Sequence, residues 1–275
     1  MDLLNAIILG IVEGLTEFLP VSSTGHLTIA EKMLGLEIDD KAVTAFTAVI
    51  QIGAIAAVVV FFRADIWRII RGWCRGLFRP ECRGDFDHRM GWYIIFGSIP
   101  IGVVGLAGRN LVTGPLRNLW WVAGSLIAWS FVLVYAERRG DQERRERDLT
   151  LTDAIVIGLV QCIALVPGVS RSGATISAGM LRGLDRVSAT RVSFFLSIPA
   201  LVAAGIFEMK DVAGSGIGLT ETLTATLVSF VVAYASVAWL LRFVAHHSMS
   251  VFAVYRVAVG VALLVLLTTG VMTAT

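Results

Sequence analysis

Long apolar runs separated by short polar segments dominate the chain. Six of them predict membrane-spanning helices: Ala42–Phe62, Gly91–Ala107, Leu119–Ala136, Val192–Phe207, Thr222–Leu241 and Ser250–Thr269. Some are shorter than the ~20 residues a crossing helix needs, so their ends are expected to extend into the flanks. Two further runs behave differently. Leu3–Leu19 meets Pro20 and a polar cluster, and Ala154–Val166 meets Pro167-Gly168 and another. Proline removes a backbone donor and disfavours helix at the residue before it. Neither run is expected to cross cleanly.

Arginine sets the expected orientation, because cytoplasmic segments carry an excess of Lys and Arg. Segment 63–89 holds Arg63, Arg68, Arg71, Arg75, Arg79, Arg83 and Arg89. Segment 137–149 holds five more arginines, and Arg182, Arg186 and Arg191 mark a third such segment. Segments 33–41 and 208–221 are poor in arginine and are expected outside. Ala42–Phe62 then runs inward and Val192–Phe207 outward.

A shift of 148 residues lays the chain on itself without a gap. Ala6 falls on Ala154, Gly10 on Gly158, Gly35-Leu36 on Gly183-Leu184 and Phe46 on Phe194. Val21-Ser22-x-Thr24-Gly25 falls on Val169-Ser170-x-Ser172-Gly173. With the orientations above, the copies run oppositely. The expected fold is an all-α integral membrane protein with an inverted-topology repeat, its halves near 1–136 and 149–275 joined by a charged cytoplasmic loop. Residues 1–275 form a single membrane domain. In such folds the site lies at the repeat interface, where helices break, and a break needs burial or a wet cavity.

Composition agrees. The chain has 275 residues, 56% hydrophobic and 16% charged; a soluble domain carries about 45–50% apolar and 25% charged residues. This excludes an ordinary soluble enzyme and a disordered chain. A net charge of +2 implies no nucleic-acid partner. Cys74, Cys82 and Cys162 have no metal-binding spacing and read as free thiols. The start Met1-Asp2 lacks the basic region of a removable signal peptide.

The candidate chemistry sits at the two breaks. Glu13 and Glu17 are spaced i, i+4, so both carboxylates share a helix face. In apolar surroundings they need a proton, a cation or an arginine. Ser22, Ser23 and His26 follow Pro20; Ser170, Arg171, Ser172 and Thr175 follow Pro167. Turn amides, hydroxyls and a guanidinium suit a phosphate group, and a divalent cation would bridge it to Glu13 and Glu17. Arg171 would stabilise the charge on a transferring phosphoryl group. Ser23 or Ser22 attacking with His26 as base, and a water activated by Glu17 or His26, are both open. An ion pair of Arg171 with Glu13 or Glu17 is the structural alternative. Gln51 lies in a span and can reach the same cavity. Arg256 is expected to snorkel at a cytoplasmic helix end, and His88, His246 and His247 to lie in cytoplasmic loops.

Over its whole length the chain resembles the undecaprenyl pyrophosphate phosphatases of the bacitracin-resistance type. Glu13 and Glu17 match the family's (E/Q)xxxE motif, Ser22 to His26 its SSTGH run, and Pro167 to Thr175 its PGxSRSxxT motif. The resemblance implies six spanning helices plus two re-entrant helical hairpins, often in a homodimer. It implies hydrolysis of undecaprenyl pyrophosphate to the monophosphate and inorganic phosphate, recycling the envelope lipid carrier and conferring bacitracin resistance. It further implies a divalent cation, magnesium or calcium, and a bacterial inner-membrane site opening to the periplasm or exterior. Glu13, Glu17, Ser23, His26, Ser170, Arg171 and Thr175 carry over as site residues, with Ser23 and His26 both open as nucleophile. The rival reading is a transporter or flippase for a polyprenyl phosphate lipid, because inverted repeats with broken helices also build transporters.

Overall fold

A computed structural model describes residues 1–38, 40–108, 116, 118–212 and 218–274. The expected outer segments 33–41 and 208–221 therefore lie partly outside the described residues. Helix α1 (Leu3–Thr16) is capped by Asp2, whose carboxylate accepts from the Asn5 amide at 2.8 Å. After a turn, α2 (Ser23–Met33) follows. Then come α3 (Lys41–Phe61), α4 (Arg63–Phe78), α5 (Phe86–Ala107) and α6 (Leu119–Arg139). The second half repeats the opening with α7 (Leu151–Gln161) and α8 (Arg171–Leu181), followed by α9 (Arg186–Val212), α10 (Leu219–His246) and α11 (Ser250–Thr268).

Among the described residues, six helices are long and apolar enough to cross a membrane: those of α3, α5, α6, α9, α10 and α11. Each coincides with an expected span. Four are longer than their apolar run because polar ends extend them; α5, for example, begins at Phe86 rather than Gly91. Helix α4 is the element that the charged segment 63–89 concealed. Its apolar residues Ile66, Ile69, Ile70 and Trp73 recur at helical spacing between the arginines.

The 148-residue register recurs in the local geometry. Ser22 and Ser170 both have positive φ, 77° and 75°, and each side chain caps the helix it precedes. A sparsely populated backbone conformation of this kind costs roughly 1–3 kcal/mol in a non-glycine residue. Ser22 Oγ accepts from the Gly25 amide at 3.3 Å and Ser170 Oγ from the Gly173 amide at 3.1 Å, which offsets part of that cost. Packing repeats too. Helix α1 lies on α10, and a Cβ on Gly10 would sit 2.6 Å from the Ala225 carbonyl oxygen. Helix α7 lies on α5, and a Cβ on Gly158 would sit 2.1 Å from the Gly97 carbonyl oxygen. Each broken hairpin thus packs on a long helix of the opposite half.

At the arginine-rich face, Asp153 in the first turn of α7 ties three segments. Its side chain is fully buried; Arg144 Nη2 donates to it at 2.6 Å and Arg182 Nε at 2.7 Å. The Thr150 amide and hydroxyl donate to it at 3.0 and 2.7 Å. Burial alone would raise its pKa, but the hydrogen bonds from Arg144, Thr150 and Arg182 hold it well below the usual carboxylate range. Its contribution to stability is present above the unfolded carboxylate pKa and is lost as pH falls. Asp153→Asn is expected to cost about 3 kcal/mol at neutral pH, because it leaves two guanidinium groups without their carboxylate. In thermal melts of the detergent-solubilised protein, the gap between parent and variant is expected to narrow below about pH 4.

Candidate active site

The two breaks meet. Pro20 ends the turn after α1, Gly168 lies in the turn after α7, and the two occupy equivalent places in the 148-residue register. Arg256 of α11 holds both: Nη1 donates to the Pro20 carbonyl at 3.0 Å and Nη2 to the Gly168 carbonyl at 2.9 Å. Its Nε donates to Ser130 Oγ at 3.3 Å. The residue is 0% exposed, so the expectation that it snorkels at a helix end is overturned. The carbonyls freed by the two breaks sit in the interior and supply acceptors that a snorkelling side chain would seek in water. Gly168, at φ 95°, lets this turn close on α6; a Cβ there would lie 2.5 Å from the Val122 carbonyl oxygen.

Helices α2 and α8 both begin at the cavity that this pairing creates, so two positive helix ends converge there. The cavity, about 130 Å³, is lined by Glu17, Ser22, Ser23, Thr24, Gln51, Ser170 and Arg171 among others. Within it, Ser23 Oγ donates to Glu17 Oε2 at 2.5 Å, and Arg171 Nη2 donates to Glu17 Oε1. Glu17 is 4% exposed. One buried carboxylate therefore serves a hydroxyl and a guanidinium at once. The structural ion pair weighed for Arg171 exists, with Glu17, and lies inside the cavity.

His26 is placed elsewhere. Its Nδ1 lies 2.8 Å from the Ser22 carbonyl and its Nε2 2.8 Å from the Tyr255 hydroxyl. A carbonyl only accepts, so Nδ1 carries the proton and Nε2 accepts from the phenol. The ring stacks on Tyr255 at 5.6 Å and 10°. The side chain bonded to Ser23 is thus Glu17, while His26, three residues on, is held against the backbone of its own cap and against α11.

Ser172 and Thr175 do not line the cavity. Ser172 Oγ donates to the Leu19 carbonyl at 2.8 Å and lies 3.1 Å from Ser170 Oγ. Thr175 Oγ1 donates to the Arg171 carbonyl at 2.9 Å and sits 2.6 Å from Ser193 Oγ. Ser172 thus ties the second hairpin to the first, and Thr175 ties α8 to α9. His88 is likewise no loop residue: it is buried in α5, with Nδ1 donating to the Trp73 carbonyl at 3.1 Å.

A second cavity of about 250 Å³ adjoins the first, sharing Ser23, Thr24 and Gln51, and is lined also by Glu13, Thr28, Glu31, Thr44 and Thr47. Glu13 is 1% exposed, and neither carboxyl oxygen has a hydrogen-bond partner among the described residues. No group of three or more His, Cys, Asp or Glu side chains suited to a metal occurs among the described residues. Glu13 beside Glu17 nevertheless fits magnesium, which commonly takes one or two protein carboxylates and completes its shell with substrate phosphates and water. Sequence reasoning missed Thr24, Glu31 and Tyr255. It misjudged Arg256, although an arginine within an apolar span is itself a signal.

Lysine ends in a single ammonium and cannot reproduce the spread of the Nε, Nη1 and Nη2 donors of Arg256. Arg256→Lys is expected to cost about 2–3 kcal/mol of stability in thermal melts and to lower turnover more than the melting shift explains, because the two hairpins lose their common clamp.

The chain matches the family model described as bacitracin resistance protein BacA over residues 6–262. It is 56% identical over 278 residues to undecaprenyl-diphosphatase 3 of Frankia casuarinae, covering 100% of both chains. It is 56% identical over 271 residues to the undecaprenyl-diphosphatase of Acidothermus cellulolyticus, covering 98% of each. It is also 56% identical over 269 residues to undecaprenyl-diphosphatase 1 of Streptomyces coelicolor, covering 98% of this chain and 97% of the relative. Similarity of this extent, over a fold with six helices apolar and long enough to span a bilayer, has one reading: the chain is a multi-pass membrane protein and belongs to the BacA bacitracin-resistance family.

Proposed function

We propose that the protein hydrolyses undecaprenyl pyrophosphate to undecaprenyl phosphate and inorganic phosphate, recycling the envelope lipid carrier and removing the form that bacitracin captures. The observation that carries this reading is the series Arg171–Glu17–Ser23 within one cavity at two helix N-termini. A binding site for transport needs the positive helix ends and the guanidinium, but not a hydroxyl bonded to a buried carboxylate. The relatives' names support the same chemistry.

In this reading Glu17 accepts the Ser23 hydroxyl proton as Oγ attacks the terminal phosphorus. The phosphoric anhydride bond breaks and the lipid monophosphate leaves. Water then cleaves the phosphoserine, restoring the hydroxyl and releasing inorganic phosphate. Arg171 and the first-turn amides of α2 and α8 stabilise the charge on the phosphoryl oxygens. Attack by water with Glu17 as base is the alternative that the same geometry supports. Glu13 and Glu17 would hold a divalent cation, which supplies positive charge to the pyrophosphate oxygens.

The halves 1–136 and 149–275 are read as an inverted-topology repeat with two re-entrant hairpins, α1–α2 and α7–α8. The shared 148-residue register and the exchange of hairpins onto the opposite half's long helices support it. The site is read as opening to the exterior of a bacterial inner membrane. Thr44, Thr47 and Gln51 line the second cavity from the first half of α3, away from the arginines that follow its end at Phe61. Pairing of two copies rests on the family resemblance.

Phosphate release from a polyprenyl pyrophosphate by detergent-purified protein tests the reading. Release is expected to stop with a chelator and with Arg171→Ala. Ser23→Ala is expected to lose at least about a hundredfold, and His26→Ala clearly less. No release from folded protein that binds the lipid would move the assignment to a transporter.

A further inference from the structure

A second concave surface lies at the arginine-rich end of α5. It is an open concavity of about 500 Å³, lined by Arg83, Arg89, Trp92, Tyr93, Phe96 and Leu151 together with His88. The lining is graded. Arg83 and Arg89 are exposed at its mouth. Trp92 and Phe96 stand one and two turns deeper along α5, with Phe96 about 10 Å beyond Arg89 at the rise of an α-helix.

Neither arginine has a carboxylate within ion-pair distance among the described residues. Arg83 spends only its Nε, on the Gly76 carbonyl at 3.2 Å. Asp87, in the same turn of α5, is engaged by Arg68 at 3.0 Å. The aromatic wall is prearranged. Trp92 Nε1 donates to His88 Nε2 at 3.3 Å, and the Trp92 ring stacks on Phe96 at 5.5 Å and 22°. Phe96 is still 40% exposed, so this wall lacks a protein cover.

We propose that this groove is a binding site for an anionic glycerophospholipid, with its phosphate on Arg83 and Arg89 and an acyl chain along Trp92 and Phe96. Guanidinium groups recognise phosphate in a forked geometry. Basic pockets between spanning helices on the arginine-rich side are suited to acidic head groups, and interfacial tryptophan sits where head group gives way to hydrocarbon. The site is separate from the catalytic cavity. Ile101, through which α5 reaches that cavity, lies about 18 Å further along the helix from Arg89.

Quenching of tryptophan fluorescence by brominated phospholipids tests this on delipidated full-length protein in detergent. Brominated phosphatidylglycerol is expected to quench at lower concentration than brominated phosphatidylcholine, and the component lost in Trp92→Phe is expected to carry the difference. Arg89→Gln should weaken the phosphatidylglycerol response about fivefold, and Arg83→Gln with Arg89→Gln by about that factor again. Basal phosphate release should be unchanged in both variants. Equal quenching by the two lipids in the parent, or an undiminished preference in the double variant, would overturn the proposal. Displacement of phosphatidylglycerol by a polyprenyl monophosphate at lower concentration than phosphatidylglycerol itself needs would reassign the groove to the lipid product and overturn it as well.

Discussion

One guanidinium holds the centre of this protein together. Arg256 is buried in a spanning helix and donates to the carbonyls of Pro20 and Gly168, equivalent positions of the two halves. A charged side chain in a membrane interior is costly and persists only with partners. A broken membrane helix is costly for the opposite reason, because it leaves carbonyls without donors. Each defect satisfies the other. The clamp joins two hairpins that are far apart in sequence and brings their second helices to one cavity with both positive ends facing it.

The polar residues around this clamp divide into fasteners and working groups. Ser22 and Ser170 hold positive-φ backbone and cap α2 and α8. Ser172 and Thr175 tie one hairpin to the other and to α9. Within the cavity that Ser22, Thr24, Gln51 and Ser170 help to line, Ser23, Glu17 and Arg171 are joined by hydrogen bonds. The positive-φ turn at Ser22 places Ser23 at the first position of a new helix, where its hydroxyl reaches the carboxylate that closes the preceding one.

Lipid contact is organised at opposite ends of the same scaffold. The cavity holding Glu17, Ser23 and Arg171 meets α5 at Ile101, while the groove lined by Arg83, Arg89 and the Trp92–Phe96 stack sits where α5 begins. At that end, Asp153 gathers Arg144 and Arg182, while Arg83 and Arg89 have no carboxylate partner among the described residues. The arginine-rich face is therefore partly a structural lock and partly a charged rim available to acidic lipid head groups.

Hydropathy alone determined the six spans, because a bilayer core admits only long apolar helices. The 148-residue register marked the two breaks as counterparts, and Ser22 and Ser170 there both have positive φ. The amphipathic α4 was hidden because its arginines outweigh its apolar stripe in any average. The division of labour among the hydroxyls and His26 was decided by tertiary structure. Ser23 and His26 share a helix face at i, i+3, but each is bonded to a group that the fold supplies: Tyr255 for His26 and Glu17, across a turn, for Ser23. Arg256 was legible only as an anomaly. Its purpose depends on two carbonyls, 236 and 88 residues away, that nothing but the folded chain brings within reach.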